Sequence, residues 1–183
     1  MNHVENIIGV YVSSLYQVSC EENKEKLIFD QLSVIGDIFR RNIELIDILN
    51  IPSLNKREKR KMIDEIFQDK VDIFIVNFIK IMTDNRRISL LFKIIEKYKK
   101  IYYQNNNIKI ITVISAVELS DDEKLNIQKK CEKIFKNKIL ADYLVDEDII
   151  AGVIIKSDDK IYDMSAVSKI NDIKKSISEK IIG

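Results

Sequence analysis

The chain has 183 residues in which 30 Lys and Arg nearly cancel 29 Asp and Glu, so a formal net charge of +1 provides no overall field to draw it onto nucleic acid or an anionic membrane. An apolar content of 46% lies in the globular range, and one Pro with four Gly favours long helices joined by few turns. That length suits one medium domain or two small ones. Cys20 and Cys131 show no paired spacing and the single His, His3, lies near the start, which excludes a tetrahedral zinc site; both thiols read as small apolar side chains in a reducing compartment. The first residues lack the basic and continuous apolar stretches of a targeting segment, and no window reaches ~18 consecutive apolar residues. A soluble, cytoplasmic chain is expected.

In chain order, Val4, Ile7, Ile8, Tyr11, Leu15 and Val18 recur at three and four and predict an amphipathic first helix. Ser19 and Glu22 have capping-box spacing and predict the start of a second helix, with Ile28, Leu32, Ile35 and Phe39 on one face, ending near Arg40. A short third helix through Ile43, Leu45, Ile46 and Leu49 is stopped by Pro52. Asn55 and Glu58 open a fourth. Residues 71–87 are apolar almost all round and read as a central fifth helix, and Leu91, Ile94, Ile95, Tyr98 and Ile101 define a sixth, to about Gln104.

Asn105-Asn106-Asn107 is a polar break, taken as the boundary between domains 1–105 and 106–183. Beyond it the period changes. Ile108, Ile110, Ile111, Val113 and Ile114 form a strand, and Ser120 and Glu123 cap a helix bearing Leu125, Ile127, Cys131, Ile134 and Phe135. Strands follow at 138–145, 149–156 and 160–164, then an amphipathic helix with Val167, Ile170, Ile173, Ile177 and Ile181. The predicted fold class is two domains: an all-α six-helix bundle, then a small α+β domain written β-α-β-β-α.

The acidic residues Asp146, Glu147, Asp148, Asp158, Asp159 and Asp163 are the place to look for carboxylate catalysis, yet they flank β-branched strands without the spacing of a calcium loop and read as strand-end charges. No glycine-rich phosphate motif or nucleophile elbow is present, so no cofactor or metal is expected. The run Lys56 to Lys61 could bind nucleic acid, but its charges fall on all sides of one helix with no interleaved aromatic, which reads as a solvated face.

Val113-Ile114-Ser115-Ala116, Leu119-Ser120, Asp146, the strand Ile150-Ala151-Gly152-Val153-Ile154-Ile155 and Asp163-x-Ser165 together resemble the δ subunit of bacterial F-type ATP synthases, whose mitochondrial counterpart is the oligomycin-sensitivity-conferring protein. Tyr11, Leu15, Pro52, Lys59, Asn77, Asn85 and Arg87 extend the resemblance over essentially the whole chain. Met164 stands where the family usually has Gly, Val167 and Ser168 where it has Arg and Gly, and Val12 where it has Ala.

The resemblance implies a non-catalytic peripheral-stalk subunit, one copy per synthase and monomeric when isolated, at the cytoplasmic face of the bacterial inner membrane and attached to it only through the complex. It implies that the first and fifth helices receive the amino-terminal helix of the α subunit, with Ile7, Tyr11, Ser14, Leu15, Asn77, Phe78 and Ile81 as contact residues. The carboxy-terminal domain would meet the far end of the b subunits. Asn85, Arg87, Asp146, Gly152, Asp163 and Ser165 would serve as structural positions, with Asp146 and Asp163 fixing turns and Gly152 allowing close packing of a strand. The rival readings are a carboxylate enzyme and a nucleic-acid-binding helical protein.

Overall fold

A computed structural model describes residues 3–67, 69–157 and 160–163. The chain divides into two compact units, Met1–Tyr102 and Tyr103–Gly183.

Among the described residues the first unit is helical: α1 (His3–Glu21), α2 (Glu25–Arg41), α3 (Glu44–Asn50), α4 (Lys56–Phe67), α5 (Ile73–Asp84) and α6 (Leu91–Asn105), with a single 3-10 turn at Ile88–Leu90. Each long helix turns an apolar stripe inward. Ile8, Val12 and Leu15 of α1, Ile28, Leu32, Ile35 and Phe39 of α2, Ile63 and Phe67 of α4, and Ile94, Ile95 and Tyr98 of α6 are buried, each such side chain contributing about 1.5–3 kcal/mol on leaving water. Aromatic pairs join the helices: Phe39 stacks on Phe67 at 5.9 Å and Phe29 on Tyr102 at 4.3 Å between ring centres.

The expected helix start at Ser19 is overturned. Ser19 lies inside α1, buried, where its hydroxyl donates to the Tyr16 carbonyl at 2.7 Å and accepts from the Tyr98 hydroxyl at 2.9 Å. With that oxygen taken by α6, α1 runs on to Glu21 and stops in a Schellman turn: Asn23 adopts φ 55°, and the N–H groups of Asn23 and Lys24 reach the carbonyls of Cys20 and Ser19. The box at Asn55 and Glu58 does form, each backbone N–H bonding the other residue's side chain at 3.0 and 2.9 Å.

In the second unit, β1 (Ile108–Ser115), α7 (Asp121–Phe135), β2 (Lys138–Val145), β3 (Val153–Ser157) and β4 (Ile161–Asp163) build a four-stranded sheet in the order β2-β1-β3-β4. β1 and β2 pair in parallel, so α7 is their crossover, while β3 and β4 add antiparallel. Ile111, Val113, Cys131, Ile139 and Ile155 form the core, and Leu119, Ile127, Phe135, Tyr143 and Tyr162 pack around it. Ser120 caps α7 in a complete capping box with Glu123. The strand β4 makes one more than the β-α-β-β-α order counts. The expected closing helix lies outside the described residues.

Candidate functional site

α1 and α5 lie side by side and run in opposite directions. Tyr11 meets Phe78 edge to face, with ring centres 5.9 Å apart, while beyond the other end of α1 the Lys24 ammonium pairs with Asp72 at 2.9 Å. Asp72 starts α5: its carboxylate accepts the Phe74 N–H at 3.0 Å, and its own N–H donates to Gln31 Oε1 at 2.8 Å. Burial pushes the pKa of Asp72 up, but the Phe74 N–H and Lys24 together outweigh it and hold the carboxyl below its ordinary range.

Between the two helices is an open apolar groove of about 180 Å³ lined by Ser14, Leu15, Val18, Phe74, Asn77, Phe78 and Ile81. Leu15 (5% exposed) and Phe78 (7%) form its floor, whereas Ile81 is 51% exposed, an apolar side chain held out to solvent on the same open face of α5 as Asn77. The small hydroxymethyl of Ser14 leaves room for a close backbone approach on the α1 side.

One end of the groove is polar. α5 stops at Asp84 in a Schellman turn, with the N–H groups of Arg86 and Arg87 bonded to the carbonyls of Thr83 and Met82. Arg86 supplies the left-handed residue at φ 56°, a position usually given to glycine. This turn brings Asn85 and Arg87 onto Tyr11: the Asn85 amide donates to the Tyr11 hydroxyl at 2.9 Å, and the Arg87 guanidinium lies 5.7 Å from the ring centre. The predicted fifth helix, residues 71–87, therefore stops at Asp84, and the arginine in place of glycine conceals that stop in the sequence.

Of the seven predicted contact residues, Ser14, Leu15, Asn77, Phe78 and Ile81 line the groove, and Tyr11 stands at its end. Ile7 is half-buried one turn further along α1 and is not part of the lining. Val18 and Phe74 were missed, although Val18 continues the stripe four residues after Ser14 and Phe74 precedes Phe78 by four. Val12, the departure in the first helix, is completely buried beneath α1.

Asp146 shapes a turn after β2: its N–H reaches the Ser115 carbonyl at 2.9 Å and its carboxylate accepts the Asp148 N–H at 3.1 Å. Gly152 is not inside a strand, contrary to the close-packing role expected of it; β3 begins at Val153, and Gly152 occupies an exposed bend at φ 94°, a backbone region that is not extended. Asp163 ends β4 opposite Ile154. Ser165, together with Met164, Val167 and Ser168, lies outside the described residues, as do Asp158 and Asp159.

The basic run is used within the helical unit. Lys59 is buried, Arg60 Nε bonds Asp84 at 3.0 Å, and Lys61 pairs with Glu65 at 3.6 Å. The hydrogen bond and charge of Asp84 raise the pKa of Arg60 above its ordinary value.

The candidate site is thus an apolar trough between two helices, with an exposed isoleucine on its rim and an amide, a phenol and a guanidinium at one end. The sequence matches the ATP synthase delta (OSCP) subunit family over residues 7–177. It is 33% identical over 169 residues to the ATP synthase subunit delta of Mycoplasmoides gallisepticum, covering 92% of this chain and 93% of that one. It is 32% identical over 177 residues to the ATP synthase subunit delta of Prochlorococcus marinus strain MIT 9301, covering 96% and 98%. Among solved structures, a chain of the Toxoplasma gondii mitochondrial ATP synthase hexamer shares the fold with a TM-score of 0.62, at 11% identity and over 93% of this chain and 96% of that one. The chain belongs to the ATP synthase delta (OSCP) family, and is a structural stalk component of the F-type ATP synthase rather than a catalytic subunit. It is peripheral to the membrane-bound complex; no helix among its described residues is long and apolar enough to cross a membrane.

Proposed function

We propose that the groove between α1 and α5 holds the amino-terminal helix of an α subunit of the catalytic head, and that the carboxy-terminal unit meets the carboxy-terminal region of the membrane-anchored b subunits. In this reading residues 1–105 are the head-binding domain, a six-helix bundle, and residues 106–183 are the stalk-binding domain. One copy, monomeric when isolated, links head to stator on the cytoplasmic face of a bacterial inner membrane, so that rotor torque drives nucleotide chemistry instead of turning the head.

The observation that carries the reading is the groove itself. A docked amphipathic helix needs apolar anchors at helical spacing on the receiving faces, and Leu15 with Val18 on α1 and Phe74, Phe78 and Ile81 on α5 have that spacing. The second half of the reading is supported by the sheet face away from α7, where Ile110, Leu140, Leu144 and Ile161 are exposed.

Calorimetric titration with a peptide copying the first ~20 residues of the cognate α subunit, a length within the usual helix range, tests the head contact. One-to-one binding is expected. Tyr11→Ala and Ile81→Ala should each weaken it by about 1 kcal/mol or more while the protein stays folded. A folded chain that gives no heat at any temperature would refute the groove assignment.

A further inference from the structure

The groove is apolar along its length but electrically different at its two ends. At the Tyr11 end stand Arg86 and Arg87, carried there by the turn that ends α5. Among the described residues no carboxylate pairs with either. The acid closest in sequence, Asp84, is taken by Arg60.

At the other end α1 stops at Glu21, and Glu22 follows it directly. They come three and four residues after Val18, so they continue the groove-facing stripe that Tyr11, Ser14, Leu15 and Val18 begin. Glu21 accepts from Gln17 Nε2 at 2.9 Å, a neutral donor that leaves its charge in place. Lys24 and Asp72 neutralise each other at this end. From Tyr11 to Val18 the helix rises about 10 Å, so a docked helix of three or four turns spans both ends.

We propose that this charge gradient fixes the direction of the helix in the groove, with Arg87, assisted by Arg86, as the specificity-determining residue. The inference rests on the groove being a helix-docking site. A helix ordinarily stabilises itself with acidic residues in its first turn and basic residues in its last, complementing its own dipole. Such a helix meets complementary charge at both ends only when its amino terminus lies at Arg86 and Arg87 and its carboxy terminus at Glu21 and Glu22. It therefore runs parallel to α1 and antiparallel to α5. The reverse direction sets acid against acid and base against base.

Two peptides of about 18 residues, long enough to form a helix on docking, test this. Both carry the same apolar stripe; one has Glu in its first turn and Lys in its last, and the other has these charges exchanged. Titration into the full chain is expected to favour the first peptide, and Arg87→Glu to reduce its affinity roughly two- to fivefold, the range a solvent-exposed ion pair supplies. Arg87→Lys should retain most of the binding, and Arg87→Glu should improve binding of the exchanged peptide.

A spin label at the amino terminus of the first peptide is expected to broaden amide signals around Asn85 and to spare those around Asp72. Broadening around Asp72, or equal affinity of the two peptides for the parent and for Arg87→Glu, would overturn the assigned direction while leaving the groove as a docking site. Binding by neither peptide would overturn the groove reading and the direction with it.

Discussion

Tyr98 shows how one side chain sets the geometry that the groove depends on. It is fully buried, its ring lies against Tyr16 with centres 5.5 Å apart, and its hydroxyl donates to Ser19. Burial pushes its pKa up to about 12. Below pH ~10 folded and unfolded chains both hold the phenolic proton, and the group adds no pH dependence. Between about 10 and 12 the unfolded chain releases the proton and the folded chain keeps it, so stability falls as pH rises, by up to about 1.4 kcal/mol per pH unit from this group. Tyr98→Phe is expected to cost about 0.5–1.5 kcal/mol at neutral pH through the lost hydrogen bond and to flatten the alkaline decline; urea unfolding at pH 8, 10 and 11 would measure both. The same contact explains why Ser19 misled the reading of the sequence. Its spacing to Glu22 matches a capping box, but its partner is 79 residues away, and local spelling carries no record of that.

Asp72 has the opposite linkage. Its folded carboxyl is held below the ordinary range, so its contribution is complete above the unfolded carboxylate value and is lost as pH falls through the folded one. Asp72→Asn keeps an oxygen for the Phe74 N–H but no charge for Lys24. It is expected to be less stable than the parent at neutral pH, with the difference closing in acid. Asp72→Ala removes the cap as well and should cost about 1 kcal/mol more. Equal acid dependence of the Asp72→Asn variant and the parent in urea titrations would contradict this account of the cap.

At the scale of elements, the helix stripes, the capping boxes at Asn55 and Ser120 and the β-branched strands could be read from the sequence because 3.6- and 2-residue periods and short-range caps are local properties. Turns made by unusual residues could not. Arg86 and Lys136 both adopt left-handed conformations at helix ends, at φ 56° and 55°, without the glycine that marks such a site. Lys136 ends α7, its N–H bonded to the Glu132 carbonyl. Lys136→Gly is therefore expected to stabilise the carboxy-terminal unit by about 0.5–1 kcal/mol by relieving the left-handed strain; a lower melting temperature would contradict it. Strand order was also illegible: β1 pairs with β2 and β3 through contacts across a helix and a long turn, which period alone does not encode. Five of the seven groove-lining residues were foreseen, through the family resemblance and helical spacing together. Phe74 was missed because the near-uniform apolarity of residues 71–82 hides which face of α5 is open.

For the whole molecule, the family fixes the role, and the groove is the physical form proposed for it. A stalk component must resist torque without taking part in chemistry, so in the proposed role its work lies in its attachments to head and stator. In the helical unit, a substitution on the groove rim should disconnect the head while sparing the fold. Ile81 suits this test, since its side chain is already half in water and a charge there has no core to disrupt, whereas an aspartate facing an apolar helix costs about 2 kcal/mol or more of binding.

The most direct test of that role compares ATP hydrolysis with ATP-driven proton pumping in membrane vesicles that carry the cognate synthase, depleted of this chain and rebuilt with either the parent or Ile81→Asp. The parent is expected to restore pumping, and the variant, although folded, to leave hydrolysis near its parental rate while pumping falls several-fold. Pumping fully restored by the variant, or equally strong without the chain at all, would contradict the claim that the α1–α5 groove couples the head to the stator.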